Sequence, residues 1–322
     1  MRAVVRERYG DSSVLRVVER ADPPAPARDQ VLVAVTTAGV NMADWHLMTG
    51  LPSVARLAFG ARVPREPGIG RDVAGVVRAV GPEVTGLRAG DRVFGTAPAA
   101  FAELALTRER ALARIPDGVA PEAAAALPTA GTTALHALRG ARVGPGSRVL
   151  ALGAGGGVGS LAVRLAVLAG ARVTAATSAG KLDAVRALGP EAVVDRADRA
   201  AWGAGYDGVV VTGGLDPLRD LRRLLAPRGA LALVGAEGGG DVLGGGTARQ
   251  LRAALLSPLV RQRLVGVVSR DNPADLGRLR DLLASEDLVP AVERVLPLDQ
   301  AAAAIDHLAS GAARGKVLLA VS

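Results

Sequence analysis

Cysteine is absent from the 322 residues, and that absence removes disulfides, thiolate nucleophiles and every thiolate zinc site. The three histidines, His46, His136 and His307, fall in separate segments without paired ligand spacing, so no metal site is expected. Aromatic residues make up 2%, which leaves little to stack on bases. The formal charge of +8 is spread over single arginines rather than a basic run, and nucleic acid is therefore not an expected partner. No apolar run approaches the roughly 18 residues of a membrane span. The opening Met1-Arg2-Ala3-Val4-Val5-Arg6-Glu7-Arg8 puts charge where a signal peptide needs its apolar stretch. The expectation is a cytoplasmic protein with no membrane partner. Of 39 basic residues only Lys181 and Lys316 are lysine, and asparagine occurs only at Asn41 and Asn272. In a composition so biased to arginine, a retained lysine points to a place where a wide guanidinium fork would not serve.

What is present is a globular composition, 49% hydrophobic and 22% charged, with length enough for two domains that each bury a core. Residues 1–120 read as short strands punctuated by Gly and Pro: Val31 to Val35 and Val73 to Val80 alternate, and Gly81-Pro82, Gly86 and Gly90 mark turns. Over 121–270 strand and helix alternate. The apolar runs Val149 to Leu152, Val173 to Ala176, Val209 to Val211 and Leu231 to Val234 suit strands buried on both faces of a parallel sheet. Val158, Leu161, Ala162, Leu165 and Leu168, and again Leu218, Leu221, Leu224 and Leu225, keep helical spacing. Gly235 to Gly246 reads as a loop, and Leu264 to Val268 as a last strand suited to pairing across a two-fold axis. Residues 271–322 give two helices and two strands that return to complete the first domain. The fold class is α/β, a β domain joined to a doubly wound parallel-sheet domain.

The segment Val149 to Gly159 supplies a strand, a glycine turn and a helix start in the order a dinucleotide needs. In the register Ala154-x-Gly156-x-x-Gly159 the missing side chains admit a pyrophosphate, and the helix N-terminus favours its negative charge. Gly153, Ala154, Gly156, Gly157, Val158 and Gly159 are the expected contacts. At the end of the next strand, where a carboxylate would hold a ribose 2′-hydroxyl, the sequence reads Thr177-Ser178-Ala179-Gly180-Lys181, with no acid before Asp183. Hydroxyls and an ammonium there suit a 2′-phosphate, so the expected cofactor is NADPH, each charge-assisted bond being worth roughly 1.5 to 3 kcal/mol. The competing reading makes Ser178 a helix cap and Lys181 a solvated residue.

With Gly39-Val40-Asn41-Met42-Ala43-Asp44, Pro67 to Gly75, Leu127-Pro128-Thr129-Ala130-Gly131-Thr132-Thr133-Ala134, the glycine turn and Gly315-Lys316-Val317, the chain resembles the medium-chain dehydrogenase/reductase superfamily, in its zinc-independent quinone oxidoreductase-like branch. The resemblance implies a GroES-like β domain built from both chain ends, a Rossmann domain between, a cofactor cleft at their junction, and a homodimer. Zinc alcohol dehydrogenases of the superfamily carry a cysteine where Asn41 stands, and a histidine and a glutamate where Arg71 and Asp72 stand. The cysteine-rich zinc lobe is missing too. The resemblance further implies that Asn41 and Asp44 line the nicotinamide end, with Asp44 alternatively a helix cap, and that Thr129 and Thr133 approach the cofactor. Arg196 falls where relatives often carry tyrosine beside the adenosine phosphate. Thr212, Val234 and Gly235 end strands at the ligand edge of the sheet. Lys316 either approaches the phosphates or the domain junction or is an edge-strand lysine. Trp45 and Phe94, with the apolar stretch Leu47 to Phe59, either wall a substrate pocket or pack the core, and His46 is either a proton source or a surface residue.

Without a Lewis acid, an unactivated alcohol is a poor hydride donor, whereas a conjugated acceptor spreads the incoming charge onto a distant oxygen that a few hydrogen-bond donors can hold. The expected activity is reduction of a quinone or α,β-unsaturated carbonyl by NADPH. The alternatives are ketone reduction or a pathway-specific tailoring step on the same scaffold, and a non-catalytic NADPH-binding protein.

Overall fold

The computed structural model describes residues 1–235 and 242–321. The chain forms two compact units: one of Met1–Leu51, Ala55–Thr132 and the segment from Asp271 onward, the other of Pro52–Val54 and Thr133–Arg270. The division falls inside the helix Pro128–Gly140, so residues 121–132 cluster with the first unit.

Seven strands lead the chain: β1 (Arg2–Val5), β2 (Arg16–Glu19), β3 (Gln30–Val40), β4 (Asp72–Val80), β5 (Arg92–Thr96), β6 (Leu104–Arg108) and β7 (Leu112–Arg114). Six follow, β8 (Arg148–Leu152), β9 (Arg172–Thr177), β10 (Ala192–Asp195), β11 (Tyr206–Val211), β12 (Leu225–Val234) and β13 (Arg263–Val267), and then β14 (Val292–Pro297) and β15 (Lys316–Ala320).

The first unit holds a sheet in the order β14-β15-β3-β4-β5-β7, with β6 also paired to β3, and a small β1-β2 sheet. β3 and β4 run antiparallel with Gly39 opposite Asp72. Inward Val31, Val33, Val35, Val73, Val77 and Val93 are at most 2% exposed and pack with Ile305, Val317 and Leu319 of the returning segment. At about 25 cal/mol per Å² of apolar surface removed from water, this burial is what draws the C-terminal segment back onto the first strands. β15 lies between β14 and β3, so Lys316 is not on an edge strand.

The second unit is a six-stranded parallel sheet in the order β10-β9-β8-β11-β12-β13, with the order reversing beside β8 as a doubly wound sheet requires. Its apolar runs are buried as expected: Val149, Leu150, Val173, Val209, Leu231 and Leu233 are at most 1% exposed. The helix Leu218–Arg223 stops before Leu224, whose carbonyl accepts from the Tyr206 N–H at 3.0 Å, and Leu225 opens β12 opposite Tyr206. Of the loop expected over Gly235 to Gly246, residues 236–241 lie outside the described residues. Gly245 and Gly246 instead open the helix Gly245–Leu256.

Candidate functional site

In the second unit, β8 ends at Leu152, Gly153 turns at φ +87°, and the helix Gly157–Leu168 starts two residues past Gly155 with Gly156 at its N-cap. A Cβ on Gly159 would stand 2.0 Å from the Gly153 carbonyl oxygen, and one on Gly153 would stand 2.8 Å from Thr212 Oγ1. These glycines let helix and strand close on each other. Gly156 has only the Gly153 oxygen at 3.6 Å and opens onto free space. Thr212 donates from Oγ1 to the Leu152 and Gly153 carbonyls, both at 3.1 Å, so it seats the turn. The N–H groups of Gly157, Val158 and Gly159 belong to the first helical turn, which has no intrahelical acceptor for them. Ala154 is fully buried. Backbone, not side chains, therefore faces any phosphate here, and a pyrophosphate fits that surface.

β9 carries Thr177 to the same edge, followed by Ser178 and a short turn of 3-10 helix over Ala179–Lys181. Ser178 stands at the N-cap of that turn, as the capping alternative expects, but its side chain makes no cap hydrogen bond. A Cβ on Gly155 would meet Thr177 Oγ1 at 2.5 Å and Lys181 Cδ at 2.7 Å, so the hydroxyl and the lysine stem lie against the glycine turn rather than out in solvent. Asp183 points elsewhere and pairs with Arg186. Arg196 follows β10, and its N–H donates to the Thr177 carbonyl at 2.7 Å. Val234 is buried, Gly235 takes φ +84°, and its carbonyl accepts from Gln250 Nε2 at 2.7 Å. Thr133 is buried on the helix Pro128–Gly140.

In the first unit, residues from four distant segments converge. The helix Met42–Thr49 begins after Asn41, and the Asp44 carboxylate reaches back to accept from the Asn41 N–H at 2.8 Å, the N3-to-N-cap arm of a capping box. The Asn41 side chain turns away from the helix. Its Nδ2 donates to Asp72 Oδ2 at 2.9 Å, and its Oδ1 accepts from Lys316 Nζ at 2.5 Å. Lys316 also donates to the Val40 carbonyl at 3.1 Å and stands 3.8 Å from Asp72 Oδ2. Asp72 Oδ1 accepts from both the N–H and the hydroxyl of Thr129, at 3.1 and 2.5 Å. A Cβ on Gly39 would strike the Ala125 carbonyl at 2.5 Å and Asp72 Cβ at 2.9 Å, so glycine is what lets the cluster close.

Asp44 and Asp72 are fully buried and Lys316 is 3% exposed. Burial disfavours each charged form. The Asp44 carboxyl is pushed up to about 7 by desolvation, against the pull of the Asn41 N–H, with the neighbouring Asp72 adding to the rise. Its Oδ1 has no hydrogen-bond partner, which withholds support from the anion. Burial also raises Asp72, opposed chiefly by the Lys316 charge, and lowers Lys316, opposed by Asp72 and Asp44. One ammonium between two carboxylates leaves one acid to stay protonated near neutrality.

This donor set does not fit a zinc ion. An ammonium occupies the space beside Asp72, and both carboxylate oxygens already accept hydrogen bonds. No thiolate exists, and among the described residues no three His, Asp or Glu side chains gather. Lys316 and Thr129 are committed to this cluster rather than presented to a ligand. Asp72, considered in the sequence only as a position where a ligand is missing, is the cluster's hub.

Trp45 is half-buried and packs on the first unit's core. Phe94 is fully buried in β5; of its two readings, burial supports packing. The stretch Leu47 to Phe59 splits, with Met48 buried and Leu57 74% exposed. His46 is half-buried, not a surface residue: its Nδ1 meets the Leu51 carbonyl at 2.6 Å, and burial lowers its basicity.

Residues 27–117 match the family described as alcohol dehydrogenase GroES-like domain, and residues 188–319 the family described as zinc-binding dehydrogenase. The 2-methylene-furan-3-one reductase of Solanum lycopersicum is 36% identical over 199 residues, 58% of this chain and 50% of that protein. The chain spans half or less of the length of the curated relatives that match it at 36% identity or more. The quinone oxidoreductase structure from Coxiella burnetii superposes with a TM-score of 0.87 at 27% identity, covering 100% of this chain and 99% of that one. The mycobacterial Rv1454c structure, complexed with NADPH, gives a TM-score of 0.79 at 28% identity and covers both chains completely.

Proposed function

Because the chain belongs to the medium-chain dehydrogenase/reductase superfamily, an oxidoreductase family with a GroES-like domain and a Rossmann-type sheet, we propose that it reduces a quinone or an α,β-unsaturated carbonyl with NADPH and without a metal. The observation that carries the reading is the packing of Thr177 and Lys181 against Gly155. It sets a hydroxyl and a lysine stem beside a turn built to admit phosphate, in a stretch where the sequence places no acid between Thr177 and Asp183.

In this reading the N–H groups of Gly157, Val158 and Gly159 take the pyrophosphate, while Gly153, Ala154 and Gly156, whose own N–H groups donate to the Ala176 and Gly153 carbonyls, shape the turn around it. Thr177, Ser178 and Lys181 take the 2′-phosphate, Arg196 flanks the adenosine, and Thr133, Thr212, Val234 and Gly235 give the cofactor room. Bound NADPH supplies a hydride. Asn41, its amide fixed by Asp72 on one side and Lys316 on the other, orients the acceptor carbonyl or the carboxamide. Asp44 holds a proton near neutral pH. Lys316 and Thr129 act by locking Asp72, and Trp45 contributes apolar surface for the acceptor.

Among the described residues β13 ends its sheet with an unpaired edge, and this edge, followed by Val268 at 70% exposure, suits pairing with a second copy in a homodimer. Among the described residues no helix is long and apolar enough to cross a membrane, in keeping with action in the cytoplasm. The test is loss of nicotinamide absorbance when purified protein meets NADPH and a panel of quinones and enones, before and after chelation. Turnover that survives the chelator supports the reading. Tight NADPH binding without turnover on any acceptor refutes the reductase, and abolition by chelator refutes metal independence. Lys181→Ala is expected to raise the KM for NADPH about tenfold while leaving NADH within twofold; equal effects overturn the 2′-phosphate assignment.

A further inference from the structure

Behind the turn that carries Ser178 and Lys181 the structure holds an ion triad. Asp216, 6% exposed, accepts from Arg196 Nη2 through Oδ2 at 2.5 Å and from Arg199 Nη2 through Oδ1 at 2.6 Å. Asp216 follows β11, whereas both arginines follow β10. In the order β10-β9-β8-β11 these strands lie three spacings apart, roughly 14 Å. The Arg196 side chain and the segment after Val211 therefore meet over the C-terminal ends of β9 and β8, the edge at which an open parallel sheet binds ligands.

Gly214 makes that meeting possible. A Cβ there would stand 2.0 Å from Arg196 Nη2 and 2.8 Å from its Cζ, while Gly213 beside it faces open space. A guanidinium has five N–H donors, and each of these spends one on Asp216. Arg199 is 58% exposed and lies over the Trp202 ring at 5.3 Å. Two cations so close repel each other. The shared carboxylate offsets that repulsion and ties both guanidinium groups, so the three side chains together carry a net charge of +1.

We propose that Asp216 is a positioning residue that pins Arg196 and Arg199 as a second anchor for a phosphate monoester on the nucleotide's ribose, opposite Lys181. This rests on the NADPH reading above. It makes 2′-phosphate selectivity depend on a residue that touches no ligand.

The probes are adenosine 2′,5′-bisphosphate and adenosine 5′-monophosphate, titrated calorimetrically into the full chain at two salt concentrations. The wild type should prefer the bisphosphate. Asp216→Asn should weaken the bisphosphate about tenfold even though it makes the triad one charge more positive, with the monophosphate within twofold, and Asp216→Glu should restore part of the loss. Arg199→Gln, at an exposed position that leaves folding intact, should weaken the bisphosphate about fivefold. If the wild type discriminates and all three variants discriminate equally well, this proposal fails and the NADPH reading stands. A wild type that does not discriminate overturns both.

Discussion

Lys316→Met tests the physics of the buried cluster directly. Methionine keeps the length and apolar volume of the lysine stem, so the loss falls on the charge and its hydrogen bonds. In the native chain that ammonium donates to the Val40 carbonyl and to Asn41 Oδ1 and faces Asp72 at 3.8 Å. Its removal leaves the Asn41 oxygen unpaired and two fully buried carboxyls without a counter-charge. Breaking a buried ion pair from one side costs about 3 to 5 kcal/mol, which in a protein of this size corresponds to a fall of roughly 10 °C in melting temperature. Asp72→Asn strips the other side and should cost a similar amount, because a buried ammonium then lacks its carboxylate. The double variant removes both charges together and should recover most of the loss, since replacing a whole buried pair by neutral groups is often nearly neutral. The assay is urea denaturation of wild type, both single variants and the double variant, compared at constant m-value. A coupling of at least about 2 kcal/mol is expected. Additive costs, or a Lys316→Met cost below about 1 kcal/mol, would refute the claim that the ammonium and the carboxylates hold one another in place.

Asp44→Asn keeps an acceptor for the Asn41 N–H and removes a titrating group. Because the folded carboxyl sits at about 7, above its ordinary value of 3.8, the unfolded chain binds fewer protons between those values, and native stability falls as pH rises through them. The variant should show a flatter stability profile between pH 4 and 7 in thermal melts; an unchanged slope would show that Asp44 does not titrate there. Gly159→Ala should destabilise by about 1 to 3 kcal/mol or more, since its Cβ would meet the Gly153 carbonyl oxygen at 2.0 Å. Gly156→Ala, whose Cβ would meet only that oxygen at 3.6 Å, should stay within about 0.5 kcal/mol of wild type yet weaken NADPH binding in calorimetry, because the added methyl enters the space left for the pyrophosphate. Equal NADPH affinity for Gly156→Ala and wild type would mean that the cofactor's backbone passes elsewhere.

What the sequence made legible is what local physics constrains. A strand, a φ-positive glycine and a helix start must be contiguous, so Val149 to Gly159 reads as a phosphate turn without any knowledge of what packs above it. The buried strands are legible for the same reason: Val149 to Leu152 and Leu231 to Val234 are apolar at every position because both faces are covered. The Asn41-Lys316 contact joins residues 275 positions apart, and no periodicity records it. Its only trace is compositional, one of just two lysines among 39 basic residues. The physical reason is now visible: a compact, fully enclosed ammonium donates to the Val40 carbonyl and Asn41 Oδ1 and faces Asp72 at 3.8 Å, a set that a single point charge meets and a wide planar fork does not. Asp72 carried a comparable signal, a carboxylate opening the apolar run Val73-Ala74 on a central strand, because a buried acid demands a partner. Asp216 gave none, being one acid among many until the fold brings two arginines to it.

Asp72 and the buried Lys316 form one physical unit. A carboxylate at position 72, enclosed by Gly39, Thr129 and the Ala125 carbonyl, needs a cation within the same unit. The lysine of β15 supplies it as a fixed single charge that accepts no electron pair. Such a site can orient a group and hold a proton, and the proposed conjugated acceptor, whose developing charge ends on an oxygen that hydrogen bonds can stabilise, asks for no more.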